Sequence, residues 1–166
     1  LPQLMRDYRS RYPQVRLELV RGNAEDLQQG CAETDFDLAF SVLSVLQGLY
    51  QYHCRRLKAD FYCLVCPPDH PCLDNTSIDC GRLATESFVC LSREGGSYMY
   101  KQFREICRDM GFIPRVTAEY PAMEDVLFAV QCSQALAILP YHIREYLHTD
   151  LVFLPLDSAS PIIEVG

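Results

Sequence analysis

The stretch Phe88-Val89-Cys90-Leu91-Ser92-Arg93-Glu94-Gly95-Gly96-Ser97 decides the architecture. Phe88 to Leu91 runs apolar without the polar alternation of a strand wetted on one side, so it reads as a strand buried on both faces. Ser92 to Ser97 reads as a polar, glycine-bearing loop, and a helix must come next. Tyr100, Phe103, Cys107 and Met110 recur at i, i+3, i+7 and i+10, which places them on one helical face, and Gly111 is the C-terminal stop. A buried strand, a loop and an amphipathic helix in that order open a βαβ unit, which requires a parallel partner strand.

Downstream the alternation continues. Arg115 to Tyr120 reads as that next strand. Met123, Val126, Leu127 and Val130 form another helical stripe, and Ala135 to Leu139 reads as a short buried strand cut off by Pro140. A helix from about Tyr141 to Leu147 and strands at Leu151 to Leu154 and Ile162 to Val165 complete the pattern.

Upstream, Leu1, Leu4, Met5, Tyr8 and Tyr12 share a helical face with arginines between them, ended by Pro13. Val15, Leu17 and Leu19 alternate with Arg16 and Glu18, the period of a strand. Gly22-Asn23 turns into a short helix with Asn23 as N-cap, closed by Gly30. Asp35 to Ser41 is an apolar strand, and Leu43 to Leu49 a loop or short helix. Tyr50 to Leu57 and Phe61 to Cys66 read as strands joined by a polar turn at Lys58-Ala59-Asp60, and Ile78 to Leu83 as a short helix.

Pro67-Pro68-Asp69-His70-Pro71 can continue neither helix nor sheet, so the backbone is expected to leave one lobe for another there. The return is expected around Pro140. The pattern therefore divides the chain into one lobe of residues 1–66 with 138–166 and another of residues 67–137, with crossovers near 65–68 and 135–140. Strands alternating with helices imply parallel sheets, and ligands in such folds sit beyond the carboxyl ends of strands where the topology switches.

Composition narrows the function classes. With 166 residues and 49% hydrophobic content the chain can bury a normal core without disulfides. Fifteen Lys and Arg against 22 Asp and Glu give a formal charge of -7, which repels a phosphate backbone unless the cations cluster. Arg6, Arg9, Arg11 and Arg16, the densest basic stretch, fall mostly on the wet face of a helix and read as a solvated surface. Nine cysteines, an odd number, fit reduced thiols inside a cell better than a secreted disulfide framework. No apolar run reaches the ~18 residues of a membrane span, and Leu1-Pro2-Gln3 carries no export signal.

Sharper chemistry finds little support. Cys63 and Cys66 have metal-ligand spacing, but positions three apart on a strand point to opposite faces, so no metal site is assigned even with His70 and Cys72 near. His53, His70, His142 and His148 lie in no recognisable triad or metal motif, and the chain is expected to be neither an enzyme nor the holder of a cofactor.

Five landmarks in order resemble the effector-binding domains of LysR-type transcriptional regulators across nearly the whole chain. They are the Leu-Pro-x-Leu helix running into Arg11-Tyr12-Pro13, Asp35-Phe36-Asp37-Leu38-Ala39-Phe40, Val65 to Pro71, Gly111-Phe112-Ile113-Pro114, and Leu136-Ala137-Ile138-Leu139-Pro140. Ser133-Gln134-Ala135 stands where the family usually has glycines. The resemblance implies a two-lobed α/β fold of the type 2 periplasmic-binding-protein kind, truncated at both ends. It lacks the strand before the first helix, the helix after the last strand, and the amino-terminal helix-turn-helix.

The function so implied is cytoplasmic sensing of a small effector between the lobes, with DNA read only through the helix-turn-helix absent from this chain and no membrane partner. A homodimer is expected, its exposed first helix packing on a helix of the other subunit's second lobe. Some peroxide-sensing relatives keep a reactive pair in the second lobe, where Cys90 and Cys107 sit, yet a strand position and a buried helical face imply inert thiols. The alternative function is an extracytoplasmic solute-binding protein of the same general fold.

Expected effector contacts are the loops after strands. Asn23, Ser41 and Val42 would face the cleft from the first lobe, Ser92, Arg93, Gly95, Ser97 and Tyr120 from the second, and Ser133 from near the crossover. Small residues expose backbone N–H groups and Arg93 can pair with a carboxylate, so a carboxylate-bearing metabolite is the expected ligand.

Overall fold

A computed structural model describes residues 2–20, 22, 36–46, 53–74, 80–146, 150–156 and 163–166. The helix expected over 23–30, with its N-cap Asn23, lies outside the described residues, as do Tyr50 and His148. In chain order the elements are helix α1 (Pro2–Arg11), a 3-10 helix (Leu43–Leu46), strands β1 (Lys58–Asp60) and β2 (Tyr62–Cys66), a 3-10 helix (Pro71–Asp74) and helix α2 (Cys80–Leu83). Then come β3 (Ser87–Leu91), α3 (Arg93–Asp109), β4 (Arg115–Tyr120), α4 (Met123–Cys132), β5 (Ala137–Pro140), a 3-10 helix (Tyr141–Tyr146), β6 (Val152–Pro155) and β7 (Ile163–Val165).

The decisive stretch forms the expected unit. β3 and β4 pair in parallel, with Leu91 beside Tyr120. On α3, Phe103, Ile106 and Cys107 are buried, with Tyr100 and Met110 packed on the same core. Gly111 takes φ 85, which only glycine adopts cheaply. Phe112 N–H donates to the Cys107 carbonyl at 3.0 Å and Gly111 N–H to that of Arg108 at 2.9 Å, a Schellman closure of the helix. The closure also delivers Phe112 to the core, where its ring lies 5.8 Å from that of Phe88.

Sheets are not parallel throughout, contrary to expectation. β2 lies between β5 and β6 and pairs with both antiparallel. Leu136, just before β5, makes a parallel bridge to Phe88, and its N–H and carbonyl bond the Ser87 carbonyl and the Val89 N–H. One short apolar run thus borders β3 first and β2 next, which reverses the sense of pairing. Side chains alternate across this layer: Tyr62, Leu64, Cys66, Phe88, Cys90, Leu136 and Ile138 enter one buried cluster, and Cys63, Val65, Val89, Leu91, Ala137 and Leu139 the other.

Several local readings are corrected. Lys58-Ala59-Asp60 is not a turn but β1, antiparallel to β7, because its backbone has a ladder partner that sequence alone does not reveal. Residues 15–19 form no strand, since their alternation finds no partner among the described residues, and Leu19 and Val20 are exposed. Residues 36–41 form no strand; at their end Ser41 and Gly166 exchange backbone hydrogen bonds, and Val42 bridges Val165. Residues 53–57 form no strand either, though Leu57 N–H reaches the Val165 carbonyl. The glycine-bearing loop is shorter than expected, because α3 already starts at Arg93. Where glycines were expected, Ser133 is extended, and its hydroxyl donates to the Ala129 carbonyl at 2.7 Å and accepts from Ala135 N–H at 3.1 Å. A side chain does there what glycine backbone freedom would otherwise do.

Candidate functional site

The carboxyl ends of β3 and β4 lie side by side, and Ser92 N–H donates to the Tyr120 carbonyl at 2.7 Å, locking the two loops together. The chain turns from them into two helix N-termini, Arg93 of α3 and Met123 of α4. The Ala122 N-cap position offers α4 no side-chain cap. Uncapped first-turn N–H groups favour an anion or a polar ligand oxygen.

The 3-10 helix Leu43–Leu46 follows Ser41 and Val42 and meets α3, where Ser44 Oγ and Tyr98 Oη lie 2.6 Å apart. Behind them Tyr62 is buried, its hydroxyl 3.9 Å from Met99 Sδ, and burial together with Tyr98 holds that phenol well above its ordinary range. Periodicity could not have found Ser44 and Tyr98. The only signal was position, a hydroxyl just past an extended segment and another in the first turns of a helix.

The structure joins Ser92 to Tyr120 by a backbone hydrogen bond, and sets Ser41 and Val42 against Gly166 and Val165, just before the 3-10 helix that carries Ser44. Gly95 and Ser97 fall within the first turns of α3 rather than in a loop. The exposed Arg93 guanidinium stands 5.1 Å from the Tyr100 ring centroid, beside a shallow hollow of about 450 Å³ shared with Lys101, Arg104 and Glu105. Ser133 lies at the other end of α4, with its hydroxyl engaged locally. A groove of about 660 Å³ runs along α4 from Tyr120 past Phe128 to Ser133, with Glu86 and Thr117 also on its walls.

The thiols are placed for packing. Cys63 and Cys66 point into opposite buried clusters. Burial pushes both up to about 12, and pushes Cys90 up to about 11 and Cys107 to about 12. A protonated, buried thiol is a poor nucleophile and a poor metal ligand. Among the described residues no group of three or more His, Cys, Asp or Glu side chains could hold a metal ion. His142 is bound instead to buried Asp60, its ring Nδ1 and its N–H both meeting Oδ2.

Comparison with known proteins agrees with this geometry. The family model described as the LysR substrate binding domain matches residues 1–166. The chain is 22% identical over 161 residues to the HTH-type transcriptional regulator AlsR of Bacillus subtilis, covering 95% of this chain and 52% of that protein. It is 26% identical over 171 residues to the HTH-type transcriptional regulator ShiR of Corynebacterium glutamicum, covering 100% and 56%. In shape it is similar to the cofactor-binding domain of the Cbl transcriptional regulator, with a TM-score of 0.81 at 15% identity, covering 99% of this chain and 72% of that one. It is also similar to the effector binding domain of QuiR in complex with shikimate, with a TM-score of 0.78 at 14% identity, covering 99% and 77%.

The chain belongs to the LysR substrate-binding-domain family, the ligand-sensing part of LysR-type transcriptional regulators, and has its two-lobed, periplasmic-binding-like α/β fold. It spans about half the length of the curated relatives it matches. Those relatives are transcriptional regulators, so the extracytoplasmic solute-binding alternative is not favoured. No helix among the described residues is long and apolar enough to cross a membrane.

Proposed function

We propose that this chain senses a small carboxylate-bearing effector held between residues 1–66 with 138–166 on one side and 67–137 on the other. The observation that carries the reading is the joined pair of parallel strand ends, Leu91-Ser92 and Tyr120, set against the Leu43–Leu46 wall through Ser44 and Tyr98. Ser41, Val42, Ser92, Arg93 and Tyr120 are the contacts, together with the Gly95 to Ser97 backbone, and Asn23, outside the described residues, is assigned to the same ligand. Arg93 supplies the positive charge that a carboxylate needs, and the QuiR domain of similar shape holds shikimate, itself a carboxylate. Ser133 is a turn-closing residue in this reading.

The chain is regulatory rather than catalytic and works in the cytoplasm, and DNA is contacted by the helix-turn-helix of the whole regulator. Effector binding acts through its difference in affinity between open and closed lobes, for which ~1–3 kcal/mol of coupling is sufficient. α1 buries none of its residues and exposes Leu4 and Tyr8, with Tyr12 exposed just beyond its end, while α4 exposes Phe128. These faces support a homodimer in which α1 of one subunit packs on α4 of its partner. A thermal-shift screen of aliphatic and cyclic carboxylates against matched amides tests the effector class. A carboxylate that raises Tm selectively is expected, and a panel in which only cations or neutral ligands stabilise the fold contradicts the assignment.

A further inference from the structure

Tyr98 stands in the first turns of α3, within residues 67–137, yet its hydroxyl lies 2.6 Å from Ser44 Oγ, within residues 1–66. The Tyr62 phenol, also within residues 1–66 and 1% exposed, is in hydrogen-bonding contact with Tyr98 and donates to Met99 Sδ at 3.9 Å. With that proton on sulfur, the Tyr62 oxygen is free to accept from the Tyr98 O–H, whose own oxygen is left to accept from the Ser44 O–H. A run of hydroxyls therefore passes from exposed Ser44 through half-buried Tyr98 to buried Tyr62, and it crosses between the two parts of the chain at Tyr98. The crossovers are already joined by the antiparallel ladder of Tyr62 to Val65 with Ala137 to Pro140, about which two lobes can still open. Ser44 and Tyr98 belong to neither strand of that ladder, so their bond is a second tie, made by side chains alone and removable without cutting the hinge.

From this geometry we infer that Tyr98 is an interlobe latch, whose hydroxyl reaches from α3 to Ser44 and favours the closed arrangement of the lobes with or without an effector. Tyrosine suits the task, because a rigid ring with few rotatable bonds carries the hydroxyl far from the backbone at little entropic cost. Water competes for both hydroxyls once the lobes part, so the net bias is modest, about two- to tenfold in the ratio of closed to open molecules. A bias of that size is one that a ligand's difference in affinity for the two states can reinforce or overcome. The inference rests on the division into lobes proposed above, but not on which effector binds.

Spin labels on Cys54 and on Ile113→Cys, both exposed positions and one in each lobe, report the interlobe distance once the other accessible thiols are replaced by serine. Dilution with unlabelled chain keeps each measured pair within one molecule. Tyr98→Phe, which keeps the ring and removes the hydroxyl, is expected to lengthen and broaden the distance distribution, with the open fraction raised about two- to tenfold. Ser44→Ala is expected to shift it in the same direction, the double variant no further than Tyr98→Phe alone, and Ser44→Thr, which restores a hydroxyl, to return it toward wild type. A wild-type distribution in folded Tyr98→Phe overturns the inference, and so do additive effects of the two single changes. If Tyr98→Phe does not fold, Ser44→Ala at its exposed position decides, and an unshifted distribution there overturns the inference equally. Failure of every carboxylate to bind would remove the effector reading and leave these distances untouched.

Discussion

At the residue scale, the cysteines carry a consequence that composition did not hint at. A strand position and a buried helical face implied inert thiols at Cys90 and Cys107, and burial makes Cys63, Cys66, Cys90 and Cys107 small apolar side chains. Their native values lie at about 11 to 12, above the ordinary thiol value of 9.0. Below pH 9 both folded and unfolded chains keep these protons and the contribution to stability is complete. As pH rises through 9 the unfolded chain ionises first, so stability falls up to the native values. Urea midpoints should therefore decline steadily between pH 9 and 11, and Cys107→Ala, although less stable at pH 8, should decline less steeply. An equal slope in wild type and variant would contradict the assignment of the loss to buried thiols.

At the element scale, what was legible followed local chemistry. The stripe on α3, the stop at Gly111, the stripe on α4 and the break at Pro140 each depend on neighbours a few residues away, and each lies where the spacing put it. Replacing Gly111 by alanine leaves room for the methyl but forces φ 85 on an L side chain. A loss of about 1–2 kcal/mol in denaturant unfolding is expected, with the fold retained. A neutral effect would mean that the Schellman closure does not depend on glycine. What was not legible depended on distant partners. Lys58-Ala59-Asp60 looks like a turn until Ile163-Glu164-Val165 is laid beside it, and Val15 to Leu19 has the period of a strand with nothing described to pair with. The candidate site divides in the same way: the positions of Ser92 and Arg93 after β3 and of Tyr120 at the end of β4 followed from local pattern, while Ser44 and Tyr98 needed the fold to bring them within 2.6 Å. His70 was noticed only as a possible ligand beside two cysteines, because its partner Gln134 is 64 residues away.

At the scale of the whole molecule, one buried layer is shared by both halves, and the run from Leu136 to Pro140 serves β3 and then β2. Phe128 is 66% exposed at the centre of the α4 face, far more than an unpartnered core-type aromatic would normally be. Phe128→Glu is expected to weaken self-association at least about tenfold in sedimentation equilibrium, with Tm of the isolated subunit little changed. An unaltered dimerisation constant would move the interface away from α4.

A ligand proposed to close the molecule over the ends of β3 and β4 must protect the backbone there, which hydrogen–deuterium exchange of the chain with and without the first selective carboxylate found in the screen reads out. Protection is predicted at 41–46, 91–98 and 120–123 together, and it should vanish in Arg93→Gln at the same ligand concentration. Protection confined to the α4 groove around Thr85, Phe128 and Ser133, or protection indifferent to Arg93, would contradict it.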